Sequence, residues 1–102
     1  MTEKRRPTYD LEAIKLAIAT ADTLAITTSA LRDALALGFD RGAIAAILAS
    51  MQRSMFVKSM TTFHDHRLWQ DVYHVPADGL TLYVKFQADV VTEFAVMAFK
   101  EK

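Results

Sequence analysis

The sequence reads as an α+β protein, with three N-terminal helices packed on one face of a mainly antiparallel sheet. Three observations carry this. The hydrophobic period is about 3.6 residues before Arg53 and 2 after it. The stretches of period 2 are joined by short connections, which make neighbouring strands antiparallel. Helices come first and strands follow, the order that segregates helices to one side of an antiparallel sheet.

Each element has its own signals. Pro7 precedes the first helix and Asp10 is placed to cap it, with Leu11, Ile14 and Ile18 on one helical face. Residues 24–28 fit a short extended piece. Thr28 or Ser29 can cap a second helix with Leu31, Ala34 and Leu35 on its inner stripe. Gly38 stands where a helix C-terminus takes a left-handed residue. Asp40 can cap a third helix, with Ile44, Ile47, Leu48 and Met51 along its buried stripe. Four strands are then expected at 56–63, 68–75, 80–87 and 93–100, rich in Val, Phe, Tyr and Thr. Their connections are the neighbourhood of Asp65, then Pro76-Ala77-Asp78-Gly79, then 88–92.

The 102 residues are expected to form a single domain, 1–53 mainly helical and 54–102 antiparallel sheet. Hydrophobic residues at 52% and charged residues at 24% are ordinary globular usage. No apolar run approaches the roughly 18 residues of a membrane span, so no membrane partner is expected. The polar start MTEKRRPTYD is not a secretory signal, and zero Cys removes disulfides and thiolate metal sites. A cytoplasmic location is the expectation. The 12 basic and 12 acidic residues cancel, which counts against a large non-specific nucleic-acid binder but not against a few cations gathered at one place. The cluster Lys4-Arg5-Arg6 reads either as a solvated tail or as a contact to RNA or to a partner protein.

Strand alternation sorts the side chains. In 80–87, Leu80, Leu82, Val84 and Phe86 form a core face, so Thr81, Tyr83, Lys85 and Gln87 point away from it. In 56–63 strict alternation puts Phe56, Lys58, Met60 and Thr62 together. In 68–75 it puts Leu68, Gln70, Val72 and His74 together. Both strands are mixed on both faces, so alternation leaves the side of Lys58 and Gln70 open. Trp69 reads as core or as a platform for a base. His64-Asp65-His66 looks like a metal or acid–base site at a hairpin tip, but zinc needs three or four ligands and no further pair follows. A solvated turn accounts for it better. There is no carboxylate cluster or Gly-rich phosphate loop, and neither metal nor cofactor is expected.

The strings KSMTT, WQDVY, YVK and FKEK, in that order, resemble the MqsR family of bacterial toxin endoribonucleases. The likeness is close over about residues 54–102 and looser in the helical half. It implies a RelE-like toxin fold and a metal-independent, ribosome-independent endoribonuclease, the toxin of a type II toxin–antitoxin pair. Its substrate would be single-stranded mRNA, cut at short sequence motifs by attack of the 2′-hydroxyl. Its partner would be a cognate MqsA-like antitoxin that binds zinc and DNA. The resemblance carries catalytic roles onto Lys58, Gln70, Tyr83 and Lys100, and His66 also fits the pattern. His74, Lys85 and Arg67 are the RNA-binding candidates. Members tend to carry an arginine just after DVY, so His74 is a departure, expected either to weaken RNA contact or to make it pH-dependent. The other reading is a non-catalytic RNA- or protein-interaction module that keeps the fold.

The implied chemistry needs a base for the 2′-hydroxyl, a cation for the phosphorane and an acid for the departing 5′-oxygen. Lys and Tyr, with ordinary pKa values of about 10.4 and 10, begin as cation and neutral phenol. For either to act as base its pKa must fall, which neighbouring cations can do for Tyr83.

Overall fold

The computed structural model describes residues 2–88 and 94–102. Along the chain run β1 (Glu3–Lys4), α1 (Leu11–Ile18), α2 (Thr28–Ala36), α3 (Arg41–Ser50), a 3₁₀ turn (Arg53–Met55), β2 (Phe56–Thr61), β3 (Trp69–Ala77), β4 (Leu80–Ala88) and β5 (Phe94–Glu101). The strands form one sheet in the order β1-β2-β3-β4-β5, each antiparallel to its neighbour. The α+β architecture is therefore as read, with one more strand than expected. β1 is only two residues long and carries no period to detect. Of the connection expected at 88–92, all but Ala88 lies outside the described residues, as does Glu93 at the head of the fourth expected strand.

The helices are held by their caps. The Asp10 side chain accepts from the N–H of Glu12 at 3.3 Å, and Leu11, Ile14 and Ile18 are buried. The second helix is capped one residue earlier than expected, because the Thr27 hydroxyl accepts from the N–H of Ala30 at 3.2 Å. Its buried stripe is Ala30 and Ala34 rather than Leu31, Ala34 and Leu35; Leu35 points outward, 52% exposed. α2 packs on β5, and two alanines four residues apart let it come close. Gly38 at φ +92° ends α2. There the N–H of Phe39 reaches the carbonyl of Ala34 at 3.0 Å, and that of Gly38 reaches Leu35 at 3.0 Å. Asp40 caps α3 through the N–H of Ala43 at 2.8 Å, and Ile44, Leu48 and Met51 are buried, with Ile47 half-buried. The extended piece at 24–28 is a parallel bridge from Ile26 to Val96.

The core lies between helices and sheet. Tyr73, Val75, Leu82, Val84, Phe86, Val96 and Phe99 meet Ile14, Phe39, Ile44 and Leu48 there. The β3–β4 hairpin turns at Asp78-Gly79, both at positive φ, a two-residue turn whose twist matches the strands. Pro76, expected in that turn, sits in β3 opposite Thr81.

Two irregularities decide which side chains face away from the helices. Phe56 registers with Tyr73 and Lys58 with Val72, so Val57 is an extra residue. Phe56 consequently joins the core side, its ring edge-on to Tyr73 at 5.6 Å, while Lys58 and Met60 take the other side. Strict alternation, which put Phe56 and Lys58 together, fails at this bulge. In β5 the pairing steps from Ala98–Lys85 to Val96–Phe86, leaving Met97 as the extra residue. This is why Val96 and Phe99, three apart, are both buried.

The helix side of β2 and β3 also anchors the N-terminal segment. Asp71, fully buried, accepts from the N–H of Thr8 at 3.1 Å and of Tyr9 at 2.9 Å. The Thr8 and Ser59 hydroxyls share a 2.7 Å bond, and the Tyr9 hydroxyl donates to the carbonyl of Trp69 at 2.7 Å.

Candidate active site

The motif strings divide between the two faces of the sheet. In KSMTT, Ser59 and Thr61 are buried, while Lys58 and Met60 stand on the open face, away from the helices. In WQDVY, Asp71 and Tyr73 turn to the helices and Gln70 and Val72 to the open face. Tyr73, in a motif yet fully buried, has its phenol pushed up to about 12, chiefly by desolvation. It is a core residue. In YVK and FKEK, Val84 and Phe99 are core, leaving Tyr83, Lys85 and Lys100 on the open face.

Register lines these residues up in rows. His74, Tyr83 and Lys100 are opposite one another on three adjacent strands. The next row is Lys58, Val72, Lys85 and Ala98. Met60, Gln70, Gln87 and Ala95 follow. Val72 is fully buried although it lies outside the core cluster. Its register neighbours on either side are Lys58 and Lys85, residues whose long stems can cover apolar surface.

All four catalytic candidates therefore share one face. The Lys100 ammonium lies 5.5 Å from the centre of the Tyr83 ring, and the His74 and Tyr83 rings are 6.1 Å apart. Gln70 donates to Gln87 at 2.8 Å. Lys58 meets the Glu3 carboxylate of β1 at 3.4 Å.

The electrostatics separate donors from acceptors. Burial raises the Tyr83 phenol above its ordinary value, outweighing the pull of Lys58 in the opposite direction. The shift runs opposite to the one a base role for Tyr83 demands, so at neutral pH it is a neutral phenol that can donate. Burial, then the charges of Lys102 and Lys58, lower His74 below its usual value, leaving it a neutral imidazole that can accept. Burial and the neighbouring Lys100 lower Lys85.

Two of the RNA-binding candidates, His74 and Lys85, join this cluster. Arg67 does not: it lies in the β2–β3 hairpin, its side chain 90% exposed and paired with Asp65 at 3.2 Å. His64 and His66 are exposed in the same turn, His64 edge-on to Phe63. Among the described residues no three His, Cys, Asp or Glu side chains gather as metal ligands. Trp69 is half-buried with the Lys4 ammonium 4.1 Å over its ring, so it is neither a core residue nor an open platform. Glu3 and Gln87 were not singled out from sequence. Gln87 shares the alternating set of Tyr83 and Lys85 and was legible there. Glu3 reaches the site only through strand pairing across 55 residues.

No described helix is long and apolar enough to cross a membrane. The family described as motility quorum-sensing regulator, toxin of MqsA, matches residues 6–101. The mRNA interferase toxin MqsR of Escherichia coli (strain K12) is 36% identical over 100 residues, 98% of this chain and 99% of that protein. A match spanning helices, sheet and open face alike means that this chain belongs to the MqsR toxin family.

Proposed function

We infer that this chain is the toxin of a toxin–antitoxin pair and acts as an mRNA interferase, an endoribonuclease that cuts without ribosome or metal. The observation that carries the mechanism is the convergence of Lys58, Lys85 and Lys100 with Tyr83 and His74 on one half-exposed face. Its partners are single-stranded mRNA and an antitoxin; an MqsA-like protein that binds zinc and DNA is the antitoxin the family points to. The site of action is the cytoplasm, where mRNA is available.

The chemistry follows from the charge states. Lys58 and Lys100 hold the non-bridging oxygens of the scissile phosphate, and Lys85 adds positive charge between them. Lysine suits this as a compact cation. Neutral His74 takes the proton of the 2′-hydroxyl and the 2′-oxygen attacks phosphorus. As the bond from phosphorus to the 5′-oxygen breaks, Tyr83 supplies the leaving oxygen with a proton. The products are a 2′,3′-cyclic phosphate and a 5′-hydroxyl. Gln70 orients the phosphate or a base edge.

Incubation of the purified chain with a defined RNA in excess EDTA tests this. Cleavage should persist and leave cyclic or 3′-phosphate ends; cleavage abolished by chelation and restored by Mg²⁺ would overturn the mechanism.

The pH profile separates the two proton-transfer roles. The rate should fall as pH drops through the pKa of His74, which lies below its ordinary value of about 6.5. Another fall is due as pH rises through the Tyr83 pKa, above about 10. His74→Gln should remove the acidic limb and slow cleavage by about 10²-fold. Tyr83→Phe should remove the alkaline limb and cost at least about tenfold with little change in stability. An acidic limb that survives His74→Gln would rule His74 out as the base.

A further inference from the structure

Beyond the lysines the open face continues for another row and changes character. Charge gives way to Met60, Gln70, Gln87 and Ala95. Gln70 Nε2 donates to Gln87 Oε1 at 2.8 Å, and both side chains are half-buried. Their mutual bond consumes one donor and one acceptor. Among the described residues no other side-chain hydrogen bond engages the Gln70 carbonyl, which can accept, or the Gln87 amide nitrogen, which can donate. A donor held on one face can meet an acceptor on the edge of a nucleobase, whose pattern of donors and acceptors differs from base to base.

The surroundings suit a nucleotide. Same-face rows on a strand lie about 7 Å apart, so Gln87 stands one row beyond Lys85, within reach of the base next to a phosphate held by the lysines. On β5 the residues registered with Lys85 and Gln87 are Ala98 and Ala95, both small. Met60, opposite Gln70, offers an adaptable apolar surface to the face of a base.

We propose that Gln87, held in place by Gln70, reads the base adjoining the scissile phosphate and so determines which sequences are cut. This rests on the mRNA-interferase reading and adds to it a specificity residue that the phosphate chemistry does not require. The bond fixes two neutral amides beside the lysine row and so preorganises their hydrogen-bonding groups before any RNA arrives.

The test is cleavage of an RNA pool randomised around the cut, with the ends sequenced, by wild type, Gln87→Ala and Gln87→Glu. Preference is a ratio within one enzyme, so a variant that folds less well is still informative. Gln87→Ala should lower base discrimination at one position next to the cut by about fivefold, the usual effect of one lost hydrogen bond, and leave other positions unchanged. Gln87→Glu keeps the volume and the bond from Gln70 but turns the outward donor into an acceptor. Preference at that same position should move toward a base presenting an amino or imino hydrogen. Unchanged preferences in both variants, or a uniform loss across all sequences, would overturn the role of Gln87 while leaving the interferase reading intact. A wild-type chain that cuts no RNA in the pool would overturn both.

Discussion

Lys58→Ala is expected to slow single-turnover RNA cleavage by on the order of 10²- to 10³-fold, the usual cost of removing one preorganised group from a developing oxyanion. The Lys58 side chain is only 32% exposed, so its charge acts on the phosphate through less water than a fully solvated lysine would. It also stands beside Tyr83 and His74, whose charge states it influences. Lys100 is exposed, so Lys100→Ala should follow the same direction with a smaller loss. Stability should barely change, because the bond from Lys58 to Glu3 is a surface ion pair contributing at most about 1 kcal/mol. Lys58→Arg keeps the charge and should recover part of the rate. A Lys58→Ala enzyme within threefold of wild type would remove this residue from the mechanism.

The largest stability effect is expected from Asp71→Ala, a loss of roughly 3–5 kcal/mol in urea unfolding. The carboxylate is fully buried and accepts two backbone N–H groups, those of Thr8 and Tyr9. Hydrogen bonds to a charged group contribute about 1.5–3 kcal/mol each. They fasten the segment that leads from β1 into α1 onto the back of β3, so their loss frees both the first helix and the first strand. Asp71→Asn keeps the shape but turns an amide nitrogen toward one of the two N–H groups, and should be nearly as damaging. The residue faces the helices, so folded Asp71→Ala protein at low temperature should cleave at close to the wild-type rate per folded molecule. A loss below about 1 kcal/mol would show that the anchor is unnecessary.

The contrast between these residues shows how far sequence reasoning reaches. β4 was legible in full, because a clean alternation of Leu82, Val84 and Phe86 leaves Tyr83, Lys85 and Gln87 no other face. The caps at Asp10 and Asp40 and the glycine at 38 were legible from local chemistry alone. β2 was not, because the extra residue Val57 reverses the face on one side of it, and a bulge has no compositional mark. Lys58 could not be assigned a side until Phe56 was seen against Tyr73. Asp71, in the middle of a motif, gives no hint in sequence that its partners are backbone groups some sixty residues away. Lys58, Gln70, Tyr83 and Lys100 were grouped by family likeness. Strand register then brings them to one face, which no spacing in the sequence dictates.

The contact of Glu3 with Lys58 has a consequence for the thermodynamics of binding. On the proposed mechanism a phosphate arriving at Lys58 would replace a carboxylate that is already there, and Glu3 would in turn collect a cation from solution. Ordinarily each protein cation that engages a single strand releases close to one condensed counterion, and the logarithm of affinity falls with that of salt at about 0.7 per contact. At Lys58 the released ion is partly recaptured by the displaced glutamate. RNA binding by this chain is therefore expected to depend less steeply on salt than three lysines at a phosphate would make it. With zero formal charge overall, loose polyanions are expected to bind this face weakly, and an RNA that engages several rows together to bind better.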